Sequence, residues 1–233
     1  MPVLTPQFYS QLAAAGEPYP RFKWYITAAV ALSAMNYPEE LGPLYTHLLE
    51  KYIPAEDHAS ETRKIKEALV KAAGLHGAAK TGNAMRELYR VTPGDLLDRT
   101  CYRENDIPPQ EAYTRGDAFL KSLYRDVPDL NTEDDFVRKC SPDYFYLVSR
   151  LLYPHIFSFD QILDKLESSQ AIISSLIGSD CANQAKNHMK GMLWNGATRE
   201  EVTAIRDTVV RIAQELGVKF KNGIIPVPEL PKD

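Results

Sequence analysis

The chain reads as an all-α protein, and three observations predict it. Apolar residues recur at helical spacing, as in Val202, Ile205, Val209, Ile212 and Leu216. Helix start and stop signals bracket those runs: Thr5-Pro6 with Gly16, and Thr198 with Glu201 three residues on and Gly217 at the end. The best strand candidate, Phe220 to Pro228, holds Ile224, Ile225 and Val227 but also Pro226 and Pro228, which suit a sheet poorly.

In chain order, Thr5-Pro6 opens a short helix with Phe8, Leu12 and Ala15 on one face. A second helix, about Phe22 to Met35, is apolar on most sides and should be central to the core. Pro38 starts a third, burying Leu41, Leu44, Tyr45, Leu48 and Leu49. Ser60 to Ala73 predicts a helix ending at Gly74, and Gly77 to Arg90 another. Val91 to Pro109 reads as a connection with a short helix at Asp95 to Thr100, followed by a helix from Glu111 to Arg125 carrying Phe119, Leu120, Leu123 and Tyr124. The acidic stretch Val127 to Pro142 predicts a surface loop with a helical turn. Tyr144 to Leu152 begins a second helical set, with Tyr144, Phe145, Tyr146, Tyr153 and Phe157 expected to pack densely.

The most informative run is Leu163 to Gly217, which predicts three helices. Gly178 is expected to end the first in a left-handed conformation, with Ser179-Asp180 supplying cap oxygens to the second, about Cys181 to Trp194. On that middle helix Cys181, Gln184, Ala185, His188, Met192 and Asn195 fall on one sector, and Gln184 and His188 stand four apart. A thiol, an amide and an imidazole among apolar neighbours suit the wall of a half-polar pocket; they equally suit a buried, hydrogen-bonded histidine beside a cysteine acting as a small hydrophobe.

Composition narrows the classes. With 233 residues, 44% hydrophobic, the chain can bury a full core. A net charge of −4 and the lack of a basic stripe interleaved with aromatics argue against a nucleic-acid partner. Three scattered cysteines, Cys101, Cys140 and Cys181, form no disulfide framework or zinc spacing, and His47, His58, His76 and His155 lack ligand partners, so neither metal nor cofactor is expected. Trp24 to Met35, the first apolar stretch, is shorter than the ~20 residues of a membrane span. The final Leu230-Pro231-Lys232-Asp233 is not the S-K-L address. The default expectation is cytoplasmic, with peroxisome or mitochondrion by a non-standard signal as the alternative.

The string from Ser179 to Val202, S-D-C-A-N-Q-A-K-N-H-M-K-G-M-L-W-N-G-A-T-R-E-E-V, resembles the central motif of the carboxymuconolactone decarboxylase-like family of the alkylhydroperoxidase D-like superfamily: a helical histidine, here His188, then N-G-x-T-x-E-E, here Asn195 to Glu201. Arg115-Gly116 resembles the family's helical lead-in. The resemblance implies an alkylhydroperoxidase D-like helical fold with two related units in one chain. A faint internal repeat fits it, pairing Gly74 with Gly178, Ala78 with Ala182, Asn83 with Asn187 and Met85 with Met189. The expected division is a degenerate N-terminal unit over 1–92, a connecting helix and acidic loop over 93–142, and a C-terminal unit over 143–233 that carries the site. A homo-oligomer is also implied.

For chemistry, the resemblance implies His188 as general acid or base on a small carboxylate, lactone or carbonyl compound, with Cys181 and Gln184 beside it. Lys190, Trp194, Glu167 and Arg115 are the expected substrate-binding residues. Gln184 stands both where the peroxide-reducing branch has its second cysteine and where a glutamate often precedes the histidine. An amide cannot form a disulfide, so a peroxidase would have to work with Cys181 alone. The alternative is a helical oligomer or binding protein without catalysis.

Overall fold

A computed structural model describes residues 3–230 except Asp106, with the side chain of Asn105 also left undescribed; the Pro231-Lys232-Asp233 end discussed above lies outside the described residues. The fold is all-α, and no strand occurs among the described residues. Its helices are α1 (Pro6–Gly16), α2 (Trp24–Ala34), α3 (Leu41–Lys51), α4 (His58–His76), α5 (Ala78–Val91), α6 (Pro109–Leu123), α7 (Phe136–Cys140), α8 (Pro142–Tyr146), α9 (Lys165–Gly178), α10 (Ala182–Trp194) and α11 (Arg199–Glu215). A π-helix, Leu147–Phe157, continues directly from α8.

All eleven residues of α2 are buried, as an all-round apolar helix requires. Around it pack α4, α9 and α11. Helices α2 and α9 meet closely: a Cβ at Gly178 would stand 2.9 Å from that of Ala34. One continuous apolar core runs from Leu4 to Val227, so helices of both halves share it.

The sequence-derived caps hold at several ends. Thr5 accepts from the Phe8 amide, the Thr198–Glu201 capping box is complete, and Gly217 takes φ +71° after α11. Other boundaries differ. Helix α4 runs through Gly74 to His76, and the left-handed break falls at Gly77. After α9 the left-handed residue is Asp180 (φ +57°), not Gly178, because Gly178 is still helical and packed against α2. The N-cap of α10 is Cys181 without a side-chain bond; the Asp180 carboxylate accepts from the Lys221 amide instead. In place of the expected helix at Asp95 to Thr100 there is a 3-10 turn, Gly94–Leu96. Tyr144 and Tyr146 are exposed, whereas Tyr153 and Phe157 are buried, so the expected aromatic packing is split between surface and core.

The π-helix was not legible in the sequence. Pro154 lies inside it, and its C-terminal carbonyls are taken up by cations from elsewhere. Arg115 Nη2 donates to Pro154 O (3.0 Å) and Arg103 Nε to His155 O (3.1 Å). Lys71, fully buried, donates to Ile156 O, Phe157 O and Phe159 O at 3.1, 3.1 and 2.6 Å. Positive charge at a helix C-terminus also complements the dipole. Gly116 lets α6 approach, since a Cβ there would lie 2.7 Å from Pro154 N.

Candidate functional site

The site forms where α6 ends against α10. Gly191, one turn after His188, has no side chain to hold α6 off: a Cβ there would come within 2.7 Å of Leu123 Cα. The next residue, Tyr124, is the C-cap of α6 and swings its phenol onto α10. Its hydroxyl lies 2.8 Å from Gln184 Oε1 and 3.0 Å from His188 Nε2, with the two rings edge-on at 5.5 Å. The π-helix contributes Tyr153, whose buried phenol stands near that of Tyr124.

One proton arrangement makes all these bonds at once. A phenol has a single hydrogen, and when Tyr124 donates it to Gln184 Oε1, His188 must carry its hydrogen on Nε2 and donate to the Tyr124 oxygen. His188 Nδ1 then holds a lone pair, and that atom is buried without a partner among the described residues. The ring is only 3% exposed, and burial pushes its pKa down to about 4. His188 is therefore neutral at pH 7. Burial also raises Tyr124 to about 12 and Tyr153 well above the usual phenol range. The cluster is a set of neutral donors and acceptors ending at one buried imidazole nitrogen without a hydrogen-bond partner among the described residues.

The other expected site residues lie apart from it. Cys181 is exposed, its thiol 3.7 Å from Ser179 O and not bonded to His188 or Gln184. Lys190 pairs with Asp126 and stands over the half-buried Trp194 ring at 5.5 Å; Arg125 covers the same ring and donates to Trp194 O (3.0 Å). Glu167 completes the α9 capping box and pairs with Lys64. Arg115 serves the π-helix end, with further bonds to Ser158 and Asp160. It borders a cavity of about 380 Å³ that reaches Lys165 and Ser168 but not His188. Tyr124 was absent from the sequence-derived set. The signal that could have found it is Gly191 in mid-helix, where another backbone approaches closely.

No group of histidine, cysteine, aspartate or glutamate suited to a metal ion occurs among the described residues. Among the same residues no helix is long and apolar enough to cross a membrane.

Fold and site together define an all-α protein with a buried His–Tyr–Gln cluster at the junction of two helices. The chain belongs to the family of peroxisomal protein 2: it is 30% identical over 201 residues to the protein of that name from Schizosaccharomyces pombe, covering 86% of this chain and 90% of that one. It is also 25% identical over a 267-residue alignment to peroxisomal protein 2 of Saccharomyces cerevisiae, covering 89% and 94%. No protein-family model matches the chain, and no solved structure does so significantly.

Proposed function

We propose that the chain is a carboxymuconolactone decarboxylase-like protein that carries out proton transfer on a small carboxylated, lactone or carbonyl metabolite, with His188 as base. The observation that carries this reading is the buried Nδ1, without a partner among the described residues, of a histidine whose other nitrogen is held by Tyr124. A histidine with a pKa near 4 cannot serve as a resting acid at neutral pH, so the free protein offers a base and hydrogen-bond acceptor. An anionic substrate beside the ring would raise that pKa and strengthen the base. Tyr124, released from Gln184, would donate to a developing oxyanion. Exposed Gln184 is the side from which a substrate enters.

Carbon dioxide loss is one outcome of such chemistry, and proton exchange next to a carbonyl is another. The names of the two yeast relatives support a peroxisomal location, and the family resemblance supports a homo-oligomer. A second reading, a helical binding or assembly protein, is favoured by the 3% exposure of His188, which is what a purely structural histidine would show.

A thermal-shift panel of small carboxylic acids, lactones and β-keto acids, run on the parent and His188→Ala, separates the two. The enzyme reading expects at least one compound to raise the melting temperature of the parent alone, followed by turnover of that compound. Identical behaviour of both proteins across the panel favours the assembly reading.

A further inference from the structure

Away from His188, the segment from Leu96 to Arg103 lies across the N-terminal half of α4 and encloses a cleft of about 330 Å³. It is fastened there by two arginine–carboxylate pairs. Arg63 Nε meets Asp98 at 2.8 Å, and Arg103 grips Glu67 through both terminal nitrogens at 2.8 and 2.7 Å. These pairs account for both carboxylates of the cleft wall. Two cations remain. Lys66 is half-buried, hydrogen-bonds among the described residues only to Leu96 O, at 3.4 Å, and lies within the field of Asp98 and Arg63; Arg99 makes no ion pair among the described residues. Behind the wall, Lys71 also draws on Glu67 at 3.4 Å, so that carboxylate is shared by two cations. In a chain of net charge −4 the cleft thus keeps a local excess of two positive charges.

We infer that this cleft binds the phosphate group of a small phosphorylated molecule, through Lys66 and Arg99. A phosphate monoester carries about −1.5 to −2 charge at neutral pH, which matches the uncompensated pair. Its three oxygens can accept from a point-like ammonium and a forked guanidinium together. The volume is at the small end of ligand sites, enough for a phosphate and a short organic stem. Val70, Ile162 and the ring of Tyr102 supply the apolar part of the wall. The inference is independent of any chemistry at His188.

Cys101 is an exposed thiol in the same wall and serves as a built-in reporter, with exposed Cys140 and Cys181 as internal controls. The native protein is labelled with N-ethylmaleimide at constant ionic strength, and the three cysteines are followed separately by peptide mass spectrometry. Inorganic phosphate, pyrophosphate and malonate are titrated in turn. Phosphate or pyrophosphate is expected to slow labelling of Cys101 at least threefold, saturably, with Cys140 and Cys181 unaffected and malonate much weaker. Lys66→Met with Arg99→Gln is expected to abolish that protection while circular dichroism and melting stay close to the parent. Absence of protection, equal slowing of all three thiols, equal protection by malonate, or protection that survives in the double variant would each overturn the assignment.

Discussion

Gly191 and Leu123 stand so close that a Cβ on the glycine would fall 2.6 Å from Leu123 Cδ2 and 2.7 Å from its Cα. The contact joins α10 to α6 one turn beyond His188 and one residue before Tyr124, so the site inherits its geometry from it. Gly191→Ala meets the Leu123 backbone as well as its side-chain tip, and the backbone cannot yield as the tip can. We expect a loss of about 1–3 kcal/mol in urea unfolding and displacement of Tyr124 from His188. A crystal structure of the variant with the 3.0 Å contact intact would count against this.

Tyr124→Phe removes one oxygen and strands a buried partner, His188 Nε2. A buried polar group left unpaired costs about 1–3 kcal/mol, and that is the expected destabilisation. Gln184→Ala touches the same hydroxyl from the exposed side, where water replaces the amide, and should change stability by no more than about 0.5 kcal/mol. Chemical denaturation of both variants checks the contrast; equal effects would refute it.

Acid should weaken the fold through His188. Its folded pKa of about 4 lies below the ~6.5 of an unfolded histidine, so between those values the unfolded chain binds a proton that the folded chain refuses. The contribution is complete above about pH 6.5 and declines as pH falls toward 4, by on the order of 3 kcal/mol in all. His76 adds to the same trend: burial, then Lys80, lowers it also to about 4 while it bonds Ser33, Ser175 and Thr81. Denaturation of His188→Gln at pH 7 and pH 4.5 should show a smaller pH effect than the parent, and an unchanged one would rule the argument out.

Lys71→Met should be strongly destabilising, by about 3 kcal/mol, although methionine fills similar space. It leaves three carbonyls at the π-helix end without their donor, and Glu67 with Arg103 alone. Hydrogen exchange should rise first in 147–159. Protection there equal to that of the parent would contradict the capping role.

What could be read from the residues follows from the range over which each signal acts. Thr198 with Glu201, Thr5 with Pro6, and Gly217 are local devices, legible because cap and helix are neighbours in sequence. The π-helix was illegible because its stabilising cations, Lys71, Arg103 and Arg115, come from distant parts of the chain. Cys181 was expected on the His188 face, but the turn at Asp180 leaves it outside the helix, a one-residue shift that periodicity cannot resolve. His188 and Gln184 share an α10 face and were legible as a pair. Their partner Tyr124 was not, because it reaches them only through the close approach of α6 permitted by Gly191.

The protonation state of His188 is the most direct test of the account. Nitrogen-15 NMR of histidine-labelled protein, titrated from pH 7.5 to pH 4.5, reads both ring nitrogens. Two histidines, His76 and His188, are expected to stay neutral across nearly the whole range, and the one whose signals disappear in His188→Gln carries its hydrogen on Nε2 with a bare Nδ1. A His188 that becomes protonated on both nitrogens near pH 6.5, or that carries its hydrogen on Nδ1, would contradict it.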